Sequence, residues 1–94
     1  MKKSRLSSAE RDSWSLDHAF GKWVVPRLIH IRDFPGYPAQ LTARSWKSIL
    51  NAMIRGFSFV ASEKYWAVPR TDKQQAIIDR ALHLFTEHFA SLWT

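Results

Sequence analysis

Cysteine is absent from the 94-residue chain, and its absence removes two classes of site. No disulfide can form, and no thiolate can bind zinc. A chain without cysteine fits a reducing cytoplasm. No apolar run approaches the roughly 18 residues of a membrane span, and no apolar stretch follows the basic N-terminus as it would in a signal peptide. We therefore expect a cytoplasmic protein with no membrane partner.

Acidic residues are scarce and unevenly placed. The chain has 8 Asp and Glu residues against 14 Lys and Arg residues, which gives a formal net charge of +6. No acid lies between Asp33 and Glu63, although this stretch contains several cations. A basic balance favours polyanionic partners, namely nucleic acid, an acidic protein surface or anionic lipid, without choosing among them.

Sequence patterns for catalysis and metal binding are also missing. The three isolated glycines form no phosphate-binding loop. Asp79, His83 and Glu87 share one helical face, but no second ligand cluster accompanies them, so we predict no metal and no cofactor. His18 beside Asp17 has the residue types of a catalytic triad, but sequence neighbours on a helix do not face each other. We predict that the chain is not an enzyme.

Apolar residues make up 46% of the chain, and they recur at helical spacing. Three such stripes predict an all-α fold, a small three-helix bundle. The stripes comprise Leu16, Phe20, Trp23, Val24, Leu28 and Ile31 in the first helix, Trp46, Ile49, Leu50, Met53, Ile54, Phe57 and Val60 in the second, and Ile77, Ile78, Ala81, Leu82, Phe85, Phe89, Leu92 and Trp93 in the third.

The first predicted helix begins at Trp14 and carries a proline. Asp12 or Ser13 would cap it, because their side-chain oxygens accept the free N–H groups of a first turn. Pro26 removes a helical hydrogen bond and clashes with the preceding turn, which predicts a kink or a break. Residues 1–12 are predicted to form a flexible basic arm, and residues 13–94 a single helical domain.

The loops and the later helices have clear local signals. Pro35-Gly36 fits the centre of a type II turn, in which glycine supplies a positive φ. Tyr37 would then either cover the core or make an exposed contact. Gly56 predicts close contact between two helices.

Threonine residues mark the starts of the second and third helices. Thr42 is a candidate cap for the second helix. Thr71 with Gln74 matches a capping box, and the third helix is predicted to run from there to about Trp93.

Cations and loop aromatics supply the candidate binding residues. Basic residues on the helices could contact phosphates or carboxylates, and the Tyr65-Trp66 pair beside cations could stack on bases or anchor a protein. The predicted partner-binding residues are Lys22, Arg27, Arg32, Arg44, Lys47, Arg55, Tyr65 and Trp66. The turn after the first helix is too long and too rich in proline for a helix-turn-helix motif.

Several motifs occur in order along residues 12–94: W-S-L-D, V-P-R-L, G-Y-P, W-x-x-I-L-x-x-M-I and L-F-x-x-x-F-x-x-L-W. In this the chain resembles a family of small uncharacterised proteins of tailed bacteriophages, whose members are more acidic and have a longer connector before the last helix. The resemblance implies a phage protein that acts inside a bacterium, in the cytoplasm of the host.

Three functional hypotheses follow. The first is a non-enzymatic phage protein that inhibits or redirects a host protein complex, such as an antiviral defence system or a nucleic-acid-handling machine, through a basic and aromatic surface. The second is a direct nucleic-acid binder, such as a transcriptional or packaging factor. The third is a structural or assembly component of the phage.

Overall fold

The computed structural model describes residues 8–65 and 67–94, and these residues form an all-helical fold without a strand, as the sequence predicts. A fourth, short helix precedes the three that were expected. No described helix combines the length and the apolar character needed to cross a membrane. The elements are α1 (Ser8–Ser13), α2 (Leu16–Asp33), α3 (Ala43–Ala61), α4 (Asp72–Glu87) and a 3-10 turn at Phe89–Ser91.

The long helices form a layer in which α3 lies between α2 and α4. Both flanking helices pack against α3, whereas the described backbones of α2 and α4 do not pack against each other. The helices α2 and α4 meet only through side chains over one face of α3.

The core lies along the inner side of α3. Its fully buried members Leu50, Met53 and Phe57 recur at helical spacing and contact residues of both flanking helices. The Phe57 ring packs edge-on against Phe20 of α2 and Phe85 of α4, with ring centroids 5.5 and 5.7 Å apart. The stripe predicted for the second helix is therefore confirmed, and it lies at the centre of the fold.

Both threonine caps are confirmed. The Thr71 hydroxyl accepts a hydrogen bond from the Gln74 backbone N–H at 3.1 Å, and the Gln74 side chain accepts one from the Thr71 N–H at 3.0 Å. Thr42 makes the same reciprocal pair with Ser45. These bonds satisfy N–H groups that the first turn of a helix leaves without partners.

The predicted caps of the first long helix are wrong. Asp12 and Ser13 lie inside α1, and the Ser13 hydroxyl donates to the Glu10 carbonyl rather than accepting an N–H. Helix α2 begins at Leu16 after a turn, and Ser15 at its N-cap makes no side-chain cap. Of the predicted basic arm, residues 8–12 are helical, and residues 1–7 lie outside the described part.

Pro26 does not divide α2, which continues as one helix from Leu16 to Asp33. The ring of Pro26 lies on the exposed side of this helix. The prediction of a break is therefore wrong. A bend at Pro26 stays a prediction.

The predicted type II turn at Pro35-Gly36 is wrong, because no described glycine has a positive φ. Helix α2 ends when the Phe34 N–H bonds back to the carbonyls of His30 and Ile31 and Phe34 becomes extended. An extended residue is what a following proline favours. The hydrogen-bonded turn comes later, where the Leu41 N–H donates to the Pro38 carbonyl at 3.0 Å.

The ends of the apolar stripes are more exposed than predicted. Helix α4 stops at Glu87 instead of Trp93, and several stripe residues face solvent. Apart from the Phe20–Phe85 ring contact, the described parts of α2 and α4 pack against α3 rather than against each other, so the ends of their stripes stay exposed. The exposed stripe residues are Leu16, Trp23, Leu82, Phe89 and Trp93.

The close approach of α3 and α4 at Gly56 is confirmed and leads to a stability prediction. A Cβ on this buried residue would lie 2.7 Å from the Ile77 carbonyl oxygen and would overlap the Ala81 Cβ. We expect Gly56→Ala to lower the free energy of unfolding by about 1–3 kcal/mol, as overpacking does, measured by urea denaturation.

Gly36→Ala is the matched control, because its new Cβ would meet only the exposed Phe34 ring, at 3.1 Å. That ring can rotate away, so we expect a change within about 0.5 kcal/mol. Alanine favours a helix over glycine by about 1 kcal/mol. A Gly56→Ala variant as stable as the parent would therefore contradict the close packing.

Candidate partner-binding surface

The side of α3 that faces away from the core carries a row of cations. Arg44, Lys47 and Arg55 are exposed there, and Ser48 and Asn51 lie between them. These five residues are called the outer face of α3. At a rise of about 1.5 Å per residue, the row from Arg44 to Arg55 extends over about 16 Å.

No carboxylate neutralises this face. Helix α3 contains no Asp or Glu, and within the described part of the chain neither Arg44, Lys47 nor Arg55 forms an ion pair or a side-chain hydrogen bond. Like charges at three- and four-residue spacing destabilise a helix slightly. The outer face therefore concentrates positive charge that forms no ion pair within the described part of the chain.

Arg32 extends the outer face onto α2. Its guanidinium donates to the Asn51 side-chain oxygen at 3.1 Å and also pairs with Asp33 at 3.1 Å. The hydrogen bond fixes Arg32 beside the outer face, while Asp33 offsets its charge. Arg32 therefore contributes a positioned guanidinium but little net charge.

The structure does not bring Lys22 and Arg27 to the outer face. Lys22 pairs with Glu63 at 3.5 Å, just beyond the C-terminal end of α3. The Arg27 guanidinium lies over the Trp23 ring, 4.2 Å from its centroid, and donates to the Trp23 carbonyl at 2.7 Å. Both cations have partners within the fold, so they are weaker candidates for partner binding than the α3 cations.

Tyr65 belongs to a cluster that joins the α3–α4 loop to the start of α2. The Arg70 guanidinium lies 4.6 Å from the centroid of the Tyr65 ring. Burial raises the pKa of Tyr65, and the hydrogen bond and charge of Asp17 raise it further, whereas Arg70 lowers it. Tyr65 therefore has partners within the chain. Trp66, its predicted companion, lies outside the described residues.

The residue types of a triad near His18 are not assembled into one. The Asp17 carboxylate accepts from the His18 backbone N–H at 2.8 Å, and the His18 Nδ1 lies 2.8 Å from the Val60 carbonyl oxygen. The imidazole thus joins α2 to the end of α3. Among the described side chains, no group of three His, Asp or Glu is arranged to hold a metal ion.

An aromatic cleft, which sequence analysis did not find, lies where α2 ends, α3 begins and the chain leaves α4. Its volume is about 400 Å³. Three separated chain segments form it, so only the high aromatic content of the sequence hinted at it. The residues that line it are Phe34, Gly36, Tyr37, Pro38, Trp46, Ser91, Trp93 and Thr94. Tyr37 is about half exposed here, so it lines the cleft and does not cover the core.

The Tyr65 cluster predicts opposite pKa changes for two substitutions. Asp17→Asn should lower the pKa of Tyr65, because it removes a carboxylate that opposes the phenolate. Arg70→Gln should raise it, because it removes a cation that favours the phenolate. Tyrosinate absorbance during an alkaline titration, in a Tyr37→Phe background, measures both. Shifts of the same sign would contradict the arrangement.

Known proteins offer no guide to the role of these surfaces. No protein-family model, no curated protein and no solved structure matches the chain. What the chain does has to be inferred from the chemistry of its surface.

Proposed function

We propose that the chain is a non-enzymatic binding protein and that the outer face of α3 contacts an anionic surface on its partner. The observation that carries the proposal is the row Arg44, Lys47 and Arg55, exposed on a helix that has no acid to neutralise it. Charge of one sign on a folded surface accelerates association with a complementary partner and excludes partners of like charge.

A protein partner fits this face better than the bases of a DNA duplex. The loop between α2 and α3 is too long and too rich in proline for a helix-turn-helix motif, so α3 is not placed as a recognition helix that enters the major groove. Among the described residues, the exposed aromatic side chains lie on α2, the loops and the C-terminal segment, and none lies on α3 among the cations to stack on bases. A flat cationic face suits a broad acidic surface.

The resemblance to small tailed-phage proteins extends the proposal to a biological setting. A phage protein of this kind would act in the bacterial cytoplasm by inhibiting or redirecting a host protein complex. An antiviral defence complex, or another machine that handles nucleic acid, would offer an anionic surface or a site that nucleic acid normally occupies. At a site that nucleic acid normally occupies, the outer face would compete with the nucleic acid.

Charge reversal tests the proposal. We expect the variant Arg44→Glu, Lys47→Glu, Arg55→Glu to lose its partner in affinity capture from nuclease-treated bacterial lysate, read by mass spectrometry. The matched control is Lys64→Glu, Lys73→Glu, Arg80→Glu, which changes the net charge equally at three exposed cations on other elements. The control should retain the partner, and circular dichroism should show that both variants stay helical.

Three other results would overturn the proposal. Equal loss in both variants would mean that net charge, rather than the outer face, governs binding. Partners recovered only without nuclease would establish a direct nucleic-acid binder; three phosphate contacts would then give a log–log salt slope of about −3. A defined homo-oligomer with no host partner would establish an assembly component.

A further inference from the structure

The aromatic cleft differs in chemistry from the outer face of α3. None of its lining side chains is charged, so it offers no cation to pair with the phosphate of a nucleotide or with a carboxylate. Its volume of about 400 Å³ falls within the range of about 300–1,000 Å³ typical of ligand sites. The cleft is thus suited to a neutral, largely apolar group.

Trp46 indicates that the occupant brings a hydrogen-bond acceptor. Its side chain lines the cleft and is only 3% exposed, yet its indole N–H donates to no residue that the structure describes. A buried indole N–H normally has an acceptor. Trp46 also packs edge-on against the His88 ring, at a centroid distance of 5.8 Å.

The other polar side chains of the cleft can also donate. Tyr37, Ser91 and Thr94 contribute hydroxyl groups, which donate as well as accept, and Trp93 contributes a second indole N–H. The Trp93 and Tyr37 rings are well exposed, at 74% and 53%, and therefore remain available to an incoming group. The cleft therefore combines exposed aromatic surface with hydrogen-bond donors, and none of its lining side chains is charged.

From this combination we propose that the cleft binds an extended, proline-containing segment of a partner protein. Proline rings pack on tryptophan and tyrosine surfaces, and proline carbonyls accept hydrogen bonds, whereas proline has no backbone N–H to leave unsatisfied. Proline-rich segments also populate the polyproline II conformation before binding, which reduces the entropy cost. A proline carbonyl is the acceptor that the Trp46 N–H lacks. This proposal goes beyond the role of the outer face and does not depend on it.

The test uses a capped, uncharged proline-rich peptide and a capped peptide in which alanine replaces every proline. We expect only the first to bind, as measured by NMR chemical-shift changes at cleft residues. Trp93→Ala and Tyr37→Ala should each weaken binding at least about tenfold, as loss of an aromatic anchor does. We expect neither substitution to destabilise the fold, because both side chains are exposed.

Trp14→Ala is the matched control, since Trp14 is equally exposed at 79% but lies at the α1–α2 turn, away from the cleft. It should bind the peptide as the parent does. Trp46→Phe removes the donor but keeps an aromatic ring, and we expect it to weaken binding roughly fivefold.

Several outcomes would overturn the proposal. Equal binding of both peptides, or no binding of either, would exclude a proline site. Unchanged affinity in Trp93→Ala would place the peptide elsewhere. A concentration-dependent dimer that Trp93→Ala abolishes would identify a second copy of the chain as the occupant. All these results leave the outer-face proposal untouched, because the peptides carry no charge.

Discussion

The fold depends on the packing of one helix, α3, against two others on different sides of its inner surface. Two glycines permit the close approach: Gly21 of α2 places its backbone against Phe57 and Ala61, and Gly56 of α3 accepts Ala81 and the Ile77 carbonyl of α4. The flanking helices gain little support from each other beyond the contact of the Phe20 and Phe85 rings, with centroids 5.6 Å apart. Buried contacts on α3 therefore stabilise the whole layer.

This arrangement leaves two surfaces outside the packing between the helices. The outer face of α3 is free because the packing uses only the inner side of the helix, and the stretch that encodes it has no acid. The aromatic cleft forms where the three segments at one end of the layer meet without filling the space between them. One surface is cationic and the other uncharged, so they are suited to different chemical groups, on one partner or on two.

Local signals in the sequence predicted much of this structure, and long-range packing explains what they missed. The α3 stripe and the caps at Thr42 and Thr71 depend on residues a few positions apart, so they were predictable. The exposure of Trp93 depends on where α4 ends. The cleft joins Tyr37, Trp46 and Trp93, whose proximity no spacing indicates. The type II turn predicted at Gly36 does not form, because the hydrogen bonds of the Phe34 N–H end α2 and Phe34 itself is extended.

We propose that the inner side of α3 holds the fold while its outer face, which the packing leaves free, is available to a partner. The free energy of unfolding of the variant Arg44→Glu, Lys47→Glu, Arg55→Glu, measured by urea denaturation, tests it most directly. We predict a value within about 0.5 kcal/mol of the parent, or slightly higher, because the three exposed cations make no ion pair that the substitutions would break and a glutamate enters the first turn of α3. A loss of about 2 kcal/mol or more would show that the cations are structural and would contradict the claim.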